Sequence, residues 1–170
     1  MERTLNVLNG LENEGLIKRY VIGGGIAVLF YAEPILTYDL DVFCLLPTDR
    51  GGVITLSPIY EYLQKKGYRV QEEHIEIEGI PVQFIPAYNE LVEEALEEAI
   101  EVKYKQVKTR IVRLEHLVAI MLQTYRPKDR ERIFVLLDEA QVNAIYLEDI
   151  LKRHRLQEKW DKFRRLYREE

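Results

Sequence analysis

Two carboxylates one residue apart, Asp39 and Asp41, open an apolar run that continues Val42-Phe43-Cys44-Leu45-Leu46. Side chains alternate faces along a strand, so the two aspartates share one face while Leu40 and Val42 take the other. Two anions on one face of a greasy strand are costly unless a cation neutralises them. A divalent metal carrying phosphates is the simplest neutraliser. Upstream, a second apolar run, Tyr20-Val21-Ile22, ends at Gly23-Gly24-Gly25. These glycines do not make a dinucleotide fingerprint, because Val28 breaks the G-x-G-x-x-G spacing, and no P-loop lysine follows them.

The elements that must position these residues can be read from periodicity and punctuation. Leu5, Leu8 and Leu11 predict a helix over 2–13 that Gly15 ends. Lys18–Ile22 reads as a strand. Gly25–Ala32 reads as a helix with Ile26, Leu29 and Phe30 inward, stopped by Pro34, and Thr37–Leu46 as the carboxylate strand, ended by Pro47. Asp49–Gly52 is a loop. Ser57-Pro58 predicts a capped helix over 58–66 that Gly67 closes. Residues 68–85 form a hairpin about Glu78-Gly79, which sets Ile77 against Ile80 and His74 against Gln83, with Val82 and Phe84 in the core. Asn89 caps an acidic helix with the apolar stripe Leu91, Ala95, Leu96 and Ala99, whose glutamates read as a solvated face. Val102–Val112 reads as one or two short strands, and helices follow over 114–125, 128–139, 147–154 and 156–168.

The expected class is α+β (mixed): a twisted mixed β-sheet flanked by helices over 1–112, then a C-terminal helical bundle over 113–170 packed on that core as one structural domain. At 170 residues the chain is long enough to bury a real core. A net charge of −5 argues against a general nucleic-acid coat protein. Cys44 is the only cysteine, so no disulfide forms within the chain, and its apolar surroundings predict a small buried residue. No apolar run is long enough to span a bilayer and no signal-peptide core is present, so a cytoplasmic protein without a membrane partner is expected.

Gly24-Gly25, thirteen residues, then Asp39-Leu40-Asp41 resembles the signature of the nucleotidyltransferase superfamily, the fold of DNA polymerase beta. The later stretch TRIVRLEHLVAIMLQTYRPKDRERIFVLL resembles the helical portion of its small abortive-infection, toxin-type members. The resemblance implies that Asp39 and Asp41 hold one or two Mg²⁺ ions and that Gly24 and Gly25 lie against a nucleoside triphosphate. It implies transfer of a nucleotidyl group to a hydroxyl acceptor, whether RNA, protein or a small molecule. Arg126 and Lys128 are candidate phosphate contacts, or else, with Arg130, the exposed start of a helix pairing with Asp129 and Glu131. The chain departs from the family pattern at three places. Gln83 stands where a third acid is usual, Met121 where a helical lysine is common, and Arg132 where a further aspartate is common. Glutamine cannot act as a base, which leaves His74 or Glu76 to substitute for the missing acid. The alternative implication is a catalytically silent binding or regulatory module, with an antitoxin or toxin partner or a second copy of itself.

Overall fold

The computed structural model describes residues 1–33, 36–48, 52 and 54–169. Pro34 and most of the Asp49–Gly52 loop fall outside the described residues. Seven strands, β1 (Arg19–Ile22), β2 (Leu40–Leu45), β3 (Arg69–Gln71), β4 (His74–Ile77), β5 (Ile80–Pro86), β6 (Ile100–Tyr104) and β7 (Val107–Ile111), form one sheet in the order β3-β4-β5-β2-β1-β7-β6. The sheet is mixed: β2 runs antiparallel to β1 and parallel to β5, while β1 runs parallel to β7. The helices are α1 (Glu2–Asn13), α2 (Gly24–Val28), α3 (Ser57–Lys65), α4 (Glu90–Glu97), α5 (Leu114–Thr124), α6 (Pro127–Glu139), α7 (Ala144–Arg153) and α8 (Gln157–Glu169). This is the mixed α+β architecture expected from the sequence.

Strand alternation divides the core in two. Tyr20, Ile22, Leu40, Val42, Cys44, Val82 and Phe84 point to one face, where Leu5, Leu8 and Leu11 of α1 and Ile59 and Leu63 of α3 cover them. Val21 and Phe43 point to the other face, against α4 and the C-terminal helices. Asp41 has the parity of Phe43 and therefore emerges on the second face. The register Leu40↔Val82, Asp41↔Gln83, Val42↔Phe84 places Gln83 beside it. The β4–β5 hairpin pairs Ile77 with Ile80 and Ile75 with Val82. Carried one residue further, this register sets His74 beside Gln83, as the sequence predicts.

Three local expectations change. The helix after the glycines lasts only to Val28, so Ala27 and Val28 are inward, whereas Leu29 and Phe30 are exposed and Ile26 is half-buried. A five-residue helix is too short for its 3.6-residue stripe to extend that far. Ser57 is already helical, and it is the Thr55 hydroxyl that accepts the Ser57 N–H, at 3.2 Å. Two residues upstream, Thr55 closes a local turn that competes with a Ser57 cap.

The third change is Glu94. It is not a solvated glutamate but a knot between helices. Its carboxylate accepts Arg153 Nη1 and Nη2 at 2.6 and 2.7 Å and contacts Nε2 of His116 at 3.0 Å and of His154 at 2.7 Å. Arg153, backed by His116 and His154, holds the Glu94 carboxyl well below the usual carboxylate range despite the opposing pull of burial. Burial pushes the His116 imidazole below its ordinary value against the attraction of Glu94. Both shifts have the same sign in linkage, since in each case the unfolded chain binds the proton more readily.

Acidification is therefore expected to destabilise the fold in two limbs. One, from His116, begins below about pH 6.5, and the other, from Glu94, below about pH 4.3. Thermal unfolding of Glu94→Gln followed across this range should show a lower Tm near neutrality and a missing lower limb. An unchanged pH profile would count against the knot.

Candidate active site

Asp41 owes its position to β2 and its closeness to backbone to Gly24. Gly24 has φ +57, a left-handed conformation that glycine adopts without strain. A Cβ built there would stand 1.9 Å from Asp41 Oδ2, so the carboxylate occupies the space a side chain would need. The Gly23 N–H also donates to the Asp41 carbonyl, at 2.9 Å. The glycine turn and the acid strand are thus built as one unit. At Gly25 a Cβ would meet Arg132 Nη2 and Thr37 Oγ1, each at 2.6 Å. The second bare position therefore receives a guanidinium from α6.

Asp41 belongs to the walls of two cavities. One, of about 430 Å³, is bounded by Thr37, Tyr38, Asp39, Asp41, Lys128 and Arg132. The other, of about 440 Å³, includes Gly24, Asp41, Gln83, Tyr88, Met121 and Arg126. Burial pushes the Asp41 carboxyl above its ordinary value; Lys128, Arg132 and Arg126 pull it down, and Asp39 adds to the rise. Asp39 is more open, with a side chain 42% exposed, and its Oδ2 lies 3.3 Å from His74 Nε2.

Most of the residues singled out from the sequence fall into these two spaces, but Gly25 does not. It is buried under Arg132 and Thr37 and lines neither cavity, so the expected contact of Gly25 with a triphosphate is not what this packing offers. Asp39, Asp41 and Lys128 share the first; Gly24, Asp41, Gln83 and Arg126 share the second. Gln83 sits beside Asp41 and donates its amide to Glu73 Oε2 at 3.3 Å. Glu76 lines neither cavity; it is exposed, opposite Pro81 and Arg69. His74, held near Asp39, is the nearer of the two proposed substitutes for the missing acid. Arg126 is engaged by Asp129, whose buried carboxylate accepts the Arg126 Nε and backbone N–H at 2.8 and 3.1 Å and the Thr124 hydroxyl at 2.8 Å. Burial opposes the charge on Asp129, but these bonds prevail and its carboxyl stays below the ordinary value.

Several residues of the site, Arg132, Tyr88, Thr37 and Tyr38 among them, were given no binding role from the sequence. Arg132 lies one turn after Lys128, and that i, i+4 spacing is the available signal. Tyr88 and Thr37 lie in connecting segments without periodicity, so nothing local marks them.

The residues fit magnesium in one particular way. Among the described residues no group of three or more His, Cys, Asp or Glu is disposed to hold a metal. The described residues therefore provide no preformed all-protein cage. Two carboxylates on one cavity wall match an ion that keeps waters and brings substrate phosphates with it.

No protein-family model matches the chain. No curated protein matches its sequence. Solved structures do match in fold. The chain is similar to an antigenic nucleotidyltransferase-like protein from Paracoccidioides brasiliensis, with a TM-score of 0.55 and 13% identity over 93% of this chain and 87% of that one. It is also similar to the antibiotic-resistance factor ANT(2'')-Ia in its solution structure, with a TM-score of 0.52 and 18% identity over 100% of each chain. At such identities the likeness is one of architecture. The seven-stranded mixed sheet, with Asp41 beside the glycine turn on the face covered by α4 and the C-terminal helices, shares its fold with these two proteins.

Proposed function

We propose that the chain binds a magnesium–nucleoside triphosphate and transfers its nucleotidyl group to a hydroxyl acceptor. The observation that carries this reading is the contact between the Asp41 carboxylate and the bare Gly24 backbone, on the wall shared with Asp39. In this reaction the acceptor oxygen bonds to the α-phosphorus, the hydroxyl proton passes to solvent, the bond to the bridging oxygen breaks, and pyrophosphate leaves. Asp39 and Asp41 would hold the metal, which when bound neutralises phosphate charge and stabilises the leaving group. Gly24 leaves room for the carboxylate against the backbone. Gln83 offers the substrate a hydrogen bond but takes no proton from the acceptor. His74, beside Asp39, is the group available to order the acceptor side of the site.

A second reading has its own support in Gln83. With an amide beside Asp41 instead of a carboxylate, the chain keeps the binding half of the site and loses an activating acid. On this reading it is a nucleotide-binding or regulatory module, for example in a toxin–antitoxin pair. Release of pyrophosphate from labelled nucleotide, in the presence of total cellular RNA and protein, separates the two. Asp41-dependent release supports the transferase, and binding without release supports the silent module.

Two further outcomes are expected. A nucleoside triphosphate with Mg²⁺ at about a hundred times its Kd should add about 2.7 kcal/mol of stability, a rise in Tm of roughly 5–10 °C. Asp41→Asn should abolish the rise, and a wild type that shows no magnesium-dependent shift with any nucleotide would sink the proposal. Gly24→Ala should be doubly harmful. A left-handed backbone costs a residue with a side chain roughly 1–2 kcal/mol, and the new methyl displaces Asp41. Its Tm should fall by several degrees and its nucleotide-induced shift should vanish.

A further inference from the structure

Arg132 poses a problem that the preceding reading does not resolve. It lies on α6 with only 9% of its surface exposed, and its Nη1 has no hydrogen-bond partner among the described residues. A buried guanidinium is rarely left this way, because the unmet donor forfeits its hydration without return. The side chain is not free to turn elsewhere. Its Nη2 end is wedged against Gly25 and Thr37, where no Cβ would fit. The same guanidinium borders the cavity of about 430 Å³ that holds Asp39 and Asp41. Lys128, one helical turn earlier and exposed, borders it too.

We infer that Arg132 and Lys128 form the seat of a polyphosphate tail, with Arg132 as its fixed part and Lys128 as its mobile part. Arg132 presents donors in a fork that suits phosphate oxygens, while Lys128 acts as a point charge on a flexible stem. The cavity wall carries Asp39, Asp41 and Glu131 against Lys128 and Arg132, a formal balance of −1 from three acids and two bases. A bare polyphosphate is therefore repelled, and one that arrives with a divalent cation is accepted. Arg132 stands where the resemblance leads one to expect an acid, so this division of labour belongs to this chain. The site would select ligands by the length of the phosphate chain: triphosphate over diphosphate, and diphosphate over monophosphate.

This inference rests on the proposed nucleotide reading, but its test does not require a nucleotide. The probe is inorganic tripolyphosphate with Mg²⁺, titrated calorimetrically into the full chain. Wild type is expected to bind it, to bind pyrophosphate more weakly, and to bind neither when EDTA replaces the magnesium. Arg132→Gln and Lys128→Gln should each weaken tripolyphosphate binding roughly 10- to 100-fold, as expected for loss of a charge-assisted hydrogen bond. Arg164→Gln, on α8 and outside both cavities, should leave it unchanged. Lys128→Gln covers the case in which Arg132→Gln fails to fold, because Lys128 is exposed. No binding by wild type, or unaltered binding in both variants, overturns the seat. If nucleotide binds in an Asp41-dependent way while both variants are neutral, only the seat falls. If tripolyphosphate binds and no nucleotide adds to it, the seat stands and the nucleotidyl reading falls.

Discussion

A largely buried carboxylate pressed against a glycine backbone governs the rest of this structure. Asp41 is drawn out of water by its place in the sheet, and its ionised form is opposed by that burial. What offsets the cost comes from α6 and its N-terminal edge: Lys128, Arg132 and Arg126. The sheet therefore supplies the anions, and a helix more than eighty residues later supplies the cations. Neither half is sensible alone. Without α6 the paired aspartates repel each other, and without the aspartates the buried Arg132 against Gly25 keeps only Glu131 as an acid on its cavity wall.

This dependence explains why the helical tail is fastened so firmly. Asp129 locks the start of α6 by gathering Arg126 and Thr124, which joins the end of α5 to the beginning of α6. Phe134 on α6 packs against Phe163 and Tyr167 on α8, with ring centroids 4.9 and 5.1 Å away. The Glu94 knot ties α4 to α5 and α7 through two histidines and an arginine. On the opposite face of the sheet, α1 is pinned by Arg110 on Glu12 at 2.6 Å and by the Tyr20 hydroxyl between Asn9 and Thr109. The Asp129 cluster and the Phe134 packing act on α6 directly and limit how far it can drift from Asp41, and the geometry of a charged site tolerates little drift.

Burial and chemistry are divided by strand parity. In β2 and β5 the even-numbered residues fill one core, while the odd-numbered ones give Asp41, Phe43, Gln83 and Ile85 to the other face. The site is thus an interruption of an apolar layer, placed where the strands begin and the helices only partly cover the sheet. A one-residue slip of β2 would turn Asp41 into the α1–α3 core, so the apolar residues that fix the register also aim that carboxylate.

Much of this was legible in the sequence, for physical reasons that can be named. Period-two alternation set Asp41 apart from the core residues Leu40 and Val42, although β2 begins only at Leu40 and leaves Asp39 ahead of the strand, and Glu78-Gly79 set the hairpin that aligns Val82 and Phe84. The Asn89 cap and the break at Pro127 bounded α4 and α6 closely, whereas α7 starts at Ala144, three residues before the predicted 147, because the Asn143 side chain caps it. Each of those signals is local, acting within a few residues of where it is read. What only the folded chain decided lies at long range. Whether Glu94 faces water or two histidines depends on α7 arriving from sixty residues away. Whether Leu29 and Phe30 are buried depends on how soon α2 ends. Whether Arg132 is a surface charge or a buried cation beside Gly25 depends on the docking of α6 against the glycine turn. Local propensity carries no information about such partners, because charge compensation across a hundred residues is settled only when the tertiary contacts form.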